Sequence, residues 1–329
     1  MQKASRLAAP NKRSESLKHS HVKCNGMAAV LDNMPRFLDV KQASEYLNLN
    51  EKKIYALVSE GRIPGTKITG KWMFPRELID RWMLESSHGG LMTDRLTMSG
   101  GDDPLLHRIV EYLAQRTGAH GHISYTPTGT RLGLDLLQAR RADCCVLHWG
   151  PDRESHLRHP ALLSQFSGHR GWVLVRALRR EYGLVIHPDT EYRADDLGEL
   201  LGRPLRWAMR QQGSGARRLL DEILTGFGID MGQLQVSEEV LSETAAAATV
   251  AMGLADIVPG ARATAAAHGL RFIPVGWEHV DLVLRRNIYF RKLFQDLILL
   301  LNSEQTARLA RTLNGYDLAE AGRLIWGQD

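Results

Sequence analysis

The pattern of hydrophobic and polar positions changes twice along the chain. Residues 1–34 have no regular apolar spacing and are rich in Lys, Arg, Ser and His, and we expect a basic, disordered tail. A start codon assigned too far upstream would explain the same segment. Between residues 35 and 86, apolar residues recur at helical spacing. From residue 93 onward, short apolar runs alternate with amphipathic stretches, which is typical of α/β domains.

The first periodic region predicts three helices and a β-hairpin. Asp39 and Asn50 are expected to cap two helices, which a tight turn separates. Apolar runs at residues 67–68 and 72–74 predict a hairpin, and a third helix is expected to start at residue 75. Helix, tight turn, helix and hairpin in this order form a winged helix-turn-helix pattern.

The second periodic region predicts a parallel sheet with helices on its faces. Strands are expected at residues 96–99, 122–125 and 142–147, each followed by a turn. Ligands of such sheets bind beyond the carboxyl ends of the strands. The candidate ligand-binding residues at these ends are Ser99, Gly100, Thr128, Gly129, Thr130 and His148.

The later strands predict a second lobe. Residues 171–175 and 182–186 are interpreted as consecutive strands, and residues 270–274 and 280–284 as returning strands. Two α/β lobes joined by crossing strands enclose a cleft. The expected division is a linker at 87–92, a ligand-binding domain at 93–314 (lobe I at about 93–176 and 259–314, lobe II at about 177–258) and a C-terminal tail at 315–329.

One turn in the second lobe has two interpretations. An apolar run is followed by Gln212, Gly213, Ser214 and Gly215 and then by an amphipathic helix. A glycine-serine turn at a helix start can cradle an anion, because the first helical N–H groups lack partners and the helix dipole favours negative charge. The same turn can be a plain helix cap.

Further candidates lie close to this turn in the sequence. Arg217 can reach a ligand or pair with Glu238 or Glu239, and Thr244 begins a later helix. Hydroxyl and backbone donors at these places suit an oxyanion or a carboxylate.

Composition and charge narrow the function. The chain has 329 residues, of which 43% are hydrophobic and 24% are charged, enough for two or three domains. The net positive charge lies in the first quarter, where a polyanion would bind. We expect no membrane span and no secretory signal. The three cysteines lack metal-ligand spacing, which favours a reducing cytoplasm and no metal site.

The motif search does not favour an enzyme. The chain has no HExxH, no lysine of a nucleotide-binding loop and no pair of carboxylates with catalytic spacing. We therefore expect a binding protein without a cofactor, and an enzyme is the weaker alternative.

The segment EGRIPGTKITGKWMFPRELIDRW and the two helices before it resemble the winged helix-turn-helix of the excisionase/MerR type. The resemblance covers about fifty residues and implies binding to double-stranded DNA, with the second helix in the major groove. Solvated lysines are the alternative for each residue alone. The DNA-binding candidates are Asn50, Glu51, Lys52, Lys53, Tyr55, Lys67, Thr69 and Lys71.

The segment from about 92 to 314 resembles the periplasmic-binding-protein-like domain of cytoplasmic regulators, which is akin to molybdate-type binding proteins. The segments RQQGSGAR and YTPTGTRLGL carry the resemblance. It implies a type II two-lobed fold, an anionic effector such as molybdate or tungstate, and a one-component transcription regulator. A homodimer is expected from symmetric operators. An excisionase-like architectural protein with a non-sensing body is the alternative.

Overall fold

The computed structural model describes residues 35–60, 63–68, 70–87, 95–192 and 197–327. These residues form two compact units, one before residue 89 and one after it. We call them the head and the body. The predicted tail at 1–34 lies outside the described residues, as does most of the predicted linker at 87–92.

The head contains three helices and a small antiparallel sheet. Its elements are β1 (Phe37–Leu38), α1 (Val40–Leu47), α2 (Glu51–Ser59), β2 (Thr66–Ile68), β3 (Lys71–Pro75) and α3 (Arg76–Ser87). The strand order is β1–β3–β2, and β2 with β3 forms the predicted hairpin. The predicted winged helix-turn-helix fold of this unit is confirmed.

Side-chain caps fix the starts of the first two helices of the head. The Asp39 carboxylate accepts a hydrogen bond from the Gln42 N–H at 2.8 Å, and the Gln42 side chain accepts one from the Asp39 N–H at 3.0 Å. The Asn50 side chain accepts one from the Lys53 N–H at 2.8 Å. Each cap supplies an acceptor that the first helical turn lacks, worth about 1 kcal/mol. Asn48 adopts a left-handed conformation (φ 52°) and turns the chain between the helices.

The body is a mixed sheet with helices on its faces. Its elements in chain order are β4 (Arg95–Gly100), α4 (Pro104–Thr117), β5 (His122–Pro127), α5 (Thr130–Gln138), β6 (Cys144–Leu147), α6 (Ser155–Leu163), β7 (Trp172–Ile186), α7 (Leu197–Leu201), β8 (Arg206–Arg210), α8 (Gly215–Gly226), β9 (Gln235–Val240), α9 (Glu243–Ala251), β10 (Ile257–Ala261), α10 (Arg262–Ala267), β11 (Arg271–Arg285), α11 (Arg286–Tyr289), α12 (Lys292–Leu301), α13 (Glu304–Leu313), β12 (Tyr316–Asp317) and β13 (Leu324–Trp326).

The strand order divides the body into two lobes. The main path is β5–β4–β6–β11–β7–β10–β8–β9. Lobe I contains the parallel strands β4, β5 and β6, and lobe II contains the parallel strands β8, β9 and β10. The long strands β7 and β11 pair antiparallel and run through both lobes. The predicted two-lobed α/β fold is confirmed.

The two crossing strands are longer than the sequence pattern predicts. Residues 171–175 and 182–186 are not separate strands, because β7 is continuous over 15 residues. Residues 270–274 and 280–284 likewise belong to the single strand β11. Charged residues such as Arg180 and Glu278 interrupt the apolar pattern inside these strands, and they are buried as mutual partners.

The second predicted lobe boundary is wrong. Strand β10 pairs with residues 182–186 of β7 and with β8, so residues 257–274 belong to lobe II and not to lobe I. The chain crosses between lobes near residue 181 in β7 and near residue 277 in β11. A short buried strand is hydrophobic in either lobe, and its pattern therefore does not show which sheet it joins.

The predicted C-terminal tail is also wrong. Strands β12 and β13 pair with β7 along the edge that β10 leaves open in lobe I. The backbones of Arg176 and Arg323 are joined by a hydrogen bond of 2.8 Å. An open strand edge has unpaired N–H and C=O groups, and the C-terminal segment supplies partners for them.

Each lobe has an apolar cluster on both faces of its sheet. Cys144 and Cys145 lie buried in β6, and burial raises the pKa of both thiols. Within the described ranges, no helix is both long enough and apolar enough to cross a membrane.

Candidate functional site

The candidate DNA-binding residues of the head lie on its surface. On α2, the residues Glu51, Lys52, Lys53 and Tyr55 are exposed, while Ile54 of the same helix is fully buried. Asn50 is exposed at the start of this helix, where it serves as the cap. The buried face holds the helix against the head, and the opposite face is left accessible to a nucleic acid.

The hairpin adds two exposed lysines. Lys67 and Lys71 lie on β2 and β3, and the Lys67 ammonium group lies 5.8 Å from the centre of the Trp72 ring. Trp72 and Trp82 are half-buried and pack against the core of the head. Thr69 lies outside the described residues.

In the body, the candidate ligand-binding residues from both lobes come together. The Gln211 amide of lobe II donates a hydrogen bond of 2.9 Å to the backbone oxygen of Thr128 in lobe I. The Arg131 N–H donates one of 3.1 Å to the backbone oxygen of Gly213. The structure therefore has a closed cleft between the turn before α5 and the turn before α8.

Two glycines allow this close approach. A Cβ at Gly215 would lie 2.3 Å from the backbone oxygen of His148, and a Cβ at Gly129 would lie 2.5 Å from the Gln211 amide nitrogen. At Gly215 the contacted atom belongs to the backbone, so a larger residue there would hold the lobes apart, whereas at Gly129 the flexible Gln211 side chain would have to move aside. Gly100, with a φ of +114°, makes a similar tight turn at the end of β4.

Most of the predicted hydroxyl donors of the cleft have partners within the protein. The Thr130 hydroxyl donates to the backbone oxygen of His148 at 3.1 Å, and the Thr128 hydroxyl accepts from the Gly100 N–H at 3.0 Å. The Ser214 hydroxyl accepts from the Arg217 N–H at 3.3 Å and therefore caps α8. The cap interpretation of this turn thus describes Ser214 in the closed structure.

Arg217 and His148 also have partners inside the body. Arg217 pairs with Glu239 at 2.9 Å, one of the two glutamates predicted as its alternative partner. His148 is buried, and its Nδ1 lies 3.0 Å from a carboxylate oxygen of Glu278. The sequence did not indicate Glu278, because it lies on a strand far from His148 in the chain.

The outer face of the predicted turn borders an open groove. The groove has a volume of about 710 Å³, and Gln212, Gly213, Ser214 and Arg217 contribute to its lining. Arg131 of lobe I and Arg218 of lobe II lie on the Trp149 ring, with guanidinium carbons 5.5 Å and 5.2 Å from the ring centre. The groove therefore runs along the mouth of the closed cleft.

The remaining predicted donor, Thr244, contacts a carboxylate from the other lobe. Its N–H, in the first turn of α9, donates a hydrogen bond of 2.9 Å to Asp102 of lobe I. The second oxygen of Asp102 lies 2.8 Å from the His107 ring. Burial opposes ionisation of Asp102, but the hydrogen bonds from His107 and Thr244 outweigh burial and lower its pKa to about 2.

A buried arginine also joins the two lobes, through carboxylates next to Asp102 and Thr244 in the chain. Arg180, on β7, lies 3.1 Å from Asp103 of lobe I, 3.1 Å from Glu243 of lobe II and 2.8 Å from Glu278 on β11. All four side chains are almost completely buried. Burial opposes ionisation of Glu278, yet His148 and Arg180 lower its pKa to about 2. No group of His, Cys, Asp and Glu in the described part of the chain is arranged to hold a metal ion.

Several buried polar side chains of the body have an atom without a hydrogen-bond partner among the described residues, and two of them lie at the carboxyl ends of β4 and β8. The Ser99 hydroxyl and the Arg210 Nη1 have no hydrogen-bond partner among the described residues. The other nitrogens of the Arg210 guanidinium donate to Gln211 and to the backbone oxygen of Leu241. Arg210 is 1% exposed, and burial lowers its pKa, although an arginine remains a cation in proteins.

The sequence did not identify Arg210, Arg180 or Asp102 as site residues. Arg210 opens the segment RQQGSGAR, in which the pattern points to the glycine-serine turn instead, and Asp102 follows the glycines after β4. Arg180 is not part of any motif, and it lies beside Arg179 in a stretch that resembles a charged loop. The position of Arg180 between two apolar runs was the sequence feature that could have indicated a buried network of charges.

Comparisons with known proteins agree with this architecture. The family model of the PBP superfamily domain matches residues 111–302, more than half of the chain. The model of a helix-turn-helix domain matches residues 37–87.

Similar proteins include two curated sequences and a solved structure. The uncharacterized protein YvgK of Bacillus subtilis (strain 168) is 30% identical over 194 residues, which cover 58% of this chain and 61% of YvgK. An uncharacterized protein from the 5′ region of a ferredoxin 2Fe-2S gene in Clostridium pasteurianum is 33% identical over 109 residues, which cover 32% of this chain and 96% of that protein. The structure of the tungstate ABC transporter from Geobacter sulfurreducens matches with a TM-score of 0.46 at 13% identity. The match covers 66% of this chain and 98% of the transporter chain.

Proposed function

The chain belongs to the PBP superfamily and carries a helix-turn-helix domain, and from this premise we propose that it is a ligand-responsive DNA-binding transcription regulator. In this proposal the body binds a small anion in the cleft between its lobes, and the head binds double-stranded DNA.

The observation that carries the anion proposal is the state of Arg210. Its guanidinium group is buried, forms no ion pair with a carboxylate of the described residues, and has an N–H group without an acceptor. A buried guanidinium without a carboxylate in direct contact and with an unsatisfied N–H group is costly, and an anion bound at Nη1 would offset that cost. The neighbouring turns favour the same kind of ligand, because helices α8 and α9 both begin in the cleft.

The ligand we favour is a tetrahedral oxyanion such as molybdate or tungstate. Arg210 supplies a positive charge, and Ser99 supplies a buried hydroxyl group that is free to donate. A small carboxylate shares this chemistry and is the alternative. The resemblance of the body to molybdate-type binding proteins supports the oxyanion, and a comparison of binding constants distinguishes the two.

The head supports the second half of the proposal. Lys52 and Lys53 are exposed at the start of α2, and Lys67 and Lys71 are exposed on the hairpin. In a winged helix-turn-helix, the second helix enters the major groove of the DNA and the hairpin approaches the sugar-phosphate backbone of the DNA. We propose that two copies bind together as a homodimer, and that cleft closure changes the spacing of their heads.

The test is fluorescence anisotropy of the full chain with the DNA upstream of its own gene. We expect binding that weakens with salt, and a shift of at least a few-fold when molybdate, tungstate or a small carboxylate is added. The double variant Lys52→Ala with Lys53→Ala should weaken binding to all DNA sequences. The slope of log K against log salt concentration should decrease by about the amount expected for the loss of two phosphate contacts.

Arg210→Met provides the matched variant for the body. It should bind DNA as the wild type does but lose the response to the anion. If the full chain binds no DNA at low salt, the regulator proposal is wrong. If it binds DNA but no anion alters binding and none raises the melting temperature, the alternative of an architectural protein with a non-sensing body is supported.

A further inference from the structure

We propose that Asp102 is an internal competitor of the anion and sets the affinity of the cleft. In the closed structure its carboxylate lies at the start of helix α9, where an anionic ligand would bind. This inference rests on the proposed function of the body.

The position of Asp102 is fixed from both sides. It lies in lobe I between β4 and α4, is 1% exposed, and accepts a hydrogen bond of 2.9 Å from the Thr244 N–H of lobe II. The His107 ring lies 2.8 Å from its second oxygen and stacks on Tyr125 at 4.3 Å between ring centres. The carboxylate is therefore held against α9 as an ordered group.

The start of α9 is a place where an anion is favoured. Thr244 is the second residue of this helix, and its N–H has no partner within the helix. The Ser242 hydroxyl caps the next N–H, that of Ala245, at 2.9 Å. The Thr244 N–H is thus left for a group from outside the helix, and Asp102 occupies it.

Arg210 connects this contact with the anion site. The Arg210 guanidinium donates a hydrogen bond of 2.8 Å to the backbone oxygen of Leu241, two residues before α9 begins, and the negative charges of Glu243 and Asp102 partly offset the lowering of its pKa by burial. An anion on the free Nη1 of Arg210 would therefore lie near the negative charge of Asp102. Two like charges close together in a buried site repel each other strongly.

Closure of the cleft does not depend on Asp102. The hydrogen bonds from Gln211 to Thr128 and from Arg131 to Gly213 join the lobes elsewhere. Arg180 also bridges Asp103 of lobe I and Glu243 of lobe II. Removal of the Asp102 carboxylate should therefore leave closure possible while it frees a donor and removes a repulsive charge.

The experiment compares anion binding by full-length wild type and Asp102→Ala in isothermal titration calorimetry. The probes are sodium molybdate, tungstate, sulfate and phosphate, each added separately. For any anion that the wild type binds, we expect the variant to bind about tenfold more tightly or better. A residue with only a structural role would change affinity in the opposite direction or leave it unchanged.

Two further variants keep the test decisive. Asp102→Asn keeps the size of the side chain and removes its charge, so it should also bind more tightly, and it replaces Asp102→Ala if circular dichroism shows that this variant is unfolded. Asp135→Asn removes an exposed carboxylate from α5 and should change affinity less than about twofold. If the wild type binds an anion and both Asp102 variants bind it no more tightly, the inference is wrong while the proposed function stands. If neither the wild type nor any variant binds an anion, both are wrong.

Discussion

In the head, the candidate residues Lys52, Lys53 and Tyr55 are exposed on a helix whose opposite face is buried. In the body, the candidates Ser99, Thr130 and Ser214 are buried, and two of these three hydroxyl groups already have partners. The head presents a surface that needs no rearrangement to contact a partner. The body presents a closed cleft whose polar groups mostly satisfy one another.

The two kinds of site differ in their consequences for stability. Exposed charges are solvated and contribute little to stability, so they can be selected for binding alone. Removing one partner of a buried charge pair leaves the other charge buried and unpaired, which destabilises the fold. Substitutions of the buried charges of the body should therefore change stability and binding together, whereas those of the exposed lysines of the head should change binding alone.

The largest effect is expected for Arg180. Its replacement by Met leaves Asp103, Glu243 and Glu278 buried without their shared cation. We expect a loss of about 3–5 kcal/mol from the free energy of unfolding of the body, measured by urea denaturation. Arg108→Met removes an exposed arginine that pairs with Glu111 and should cost at most about 1 kcal/mol. Equal losses of stability in the two variants would contradict the expected difference between buried and exposed charges.

A dependence on pH should follow from the buried carboxylates. The pKa of Glu278 is about 2, below the usual 4.5, and that of Asp102 is also about 2, below 3.8. A lowered pKa means that the unfolded chain binds more protons, so the stabilisation is complete above about pH 5 and is lost as the pH falls toward about 2. Unfolding free energies measured from about pH 5 down to about pH 3 should therefore fall.

Glu278→Gln isolates one carboxylate in this pH dependence. The slope of the unfolding free energy should decrease by up to about 1.4 kcal/mol per pH unit relative to the wild type. Glu304→Gln, at an exposed position on α13, should leave the slope unchanged. A slope in Glu278→Gln that equals that of the wild type would show that Glu278 is not responsible.

The smallest of these effects is expected for Gly215. A methyl group there would lie 2.3 Å from the backbone oxygen of His148, so Gly215→Ala should separate the lobes or strain them by about 1–3 kcal/mol. Gly226 ends the same helix, and a methyl group there would have open space around it, so Gly226→Ala should be neutral or stabilise by about 0.4–1 kcal/mol. Thermal unfolding of both variants checks this, and a neutral Gly215→Ala would show that the lobes do not approach at this point.

The sequence predicted the elements better than their connections. Caps at Asp39 and Asn50 and the turn between the first helices are local, and the structure has them where they were predicted. The long strands β7 and β11 were each divided in two, because charged residues in their centres imitate a loop. The C-terminal segment was taken for a tail, since its short strands have no signal apart from the β7 edge that they cover.

Local sequence patterns were enough to determine the two classes of unit, the exposed lysines of the head and the glycines that the turns of the body require. These features depend on helical spacing, on caps and on backbone conformation, which act over a few residues. The tertiary structure was needed to show that Asp102 reaches Thr244, that Arg180 joins three carboxylates, and that Arg210 is buried with an N–H group to spare. The hydrogen bond from Arg180 to Glu243 joins residues 63 positions apart, and the one from Thr244 to Asp102 joins residues 142 positions apart. A sequence pattern carries no record of which distant charge a folded sheet places beside another, because strands that are neighbours in the sheet can be far apart in the chain.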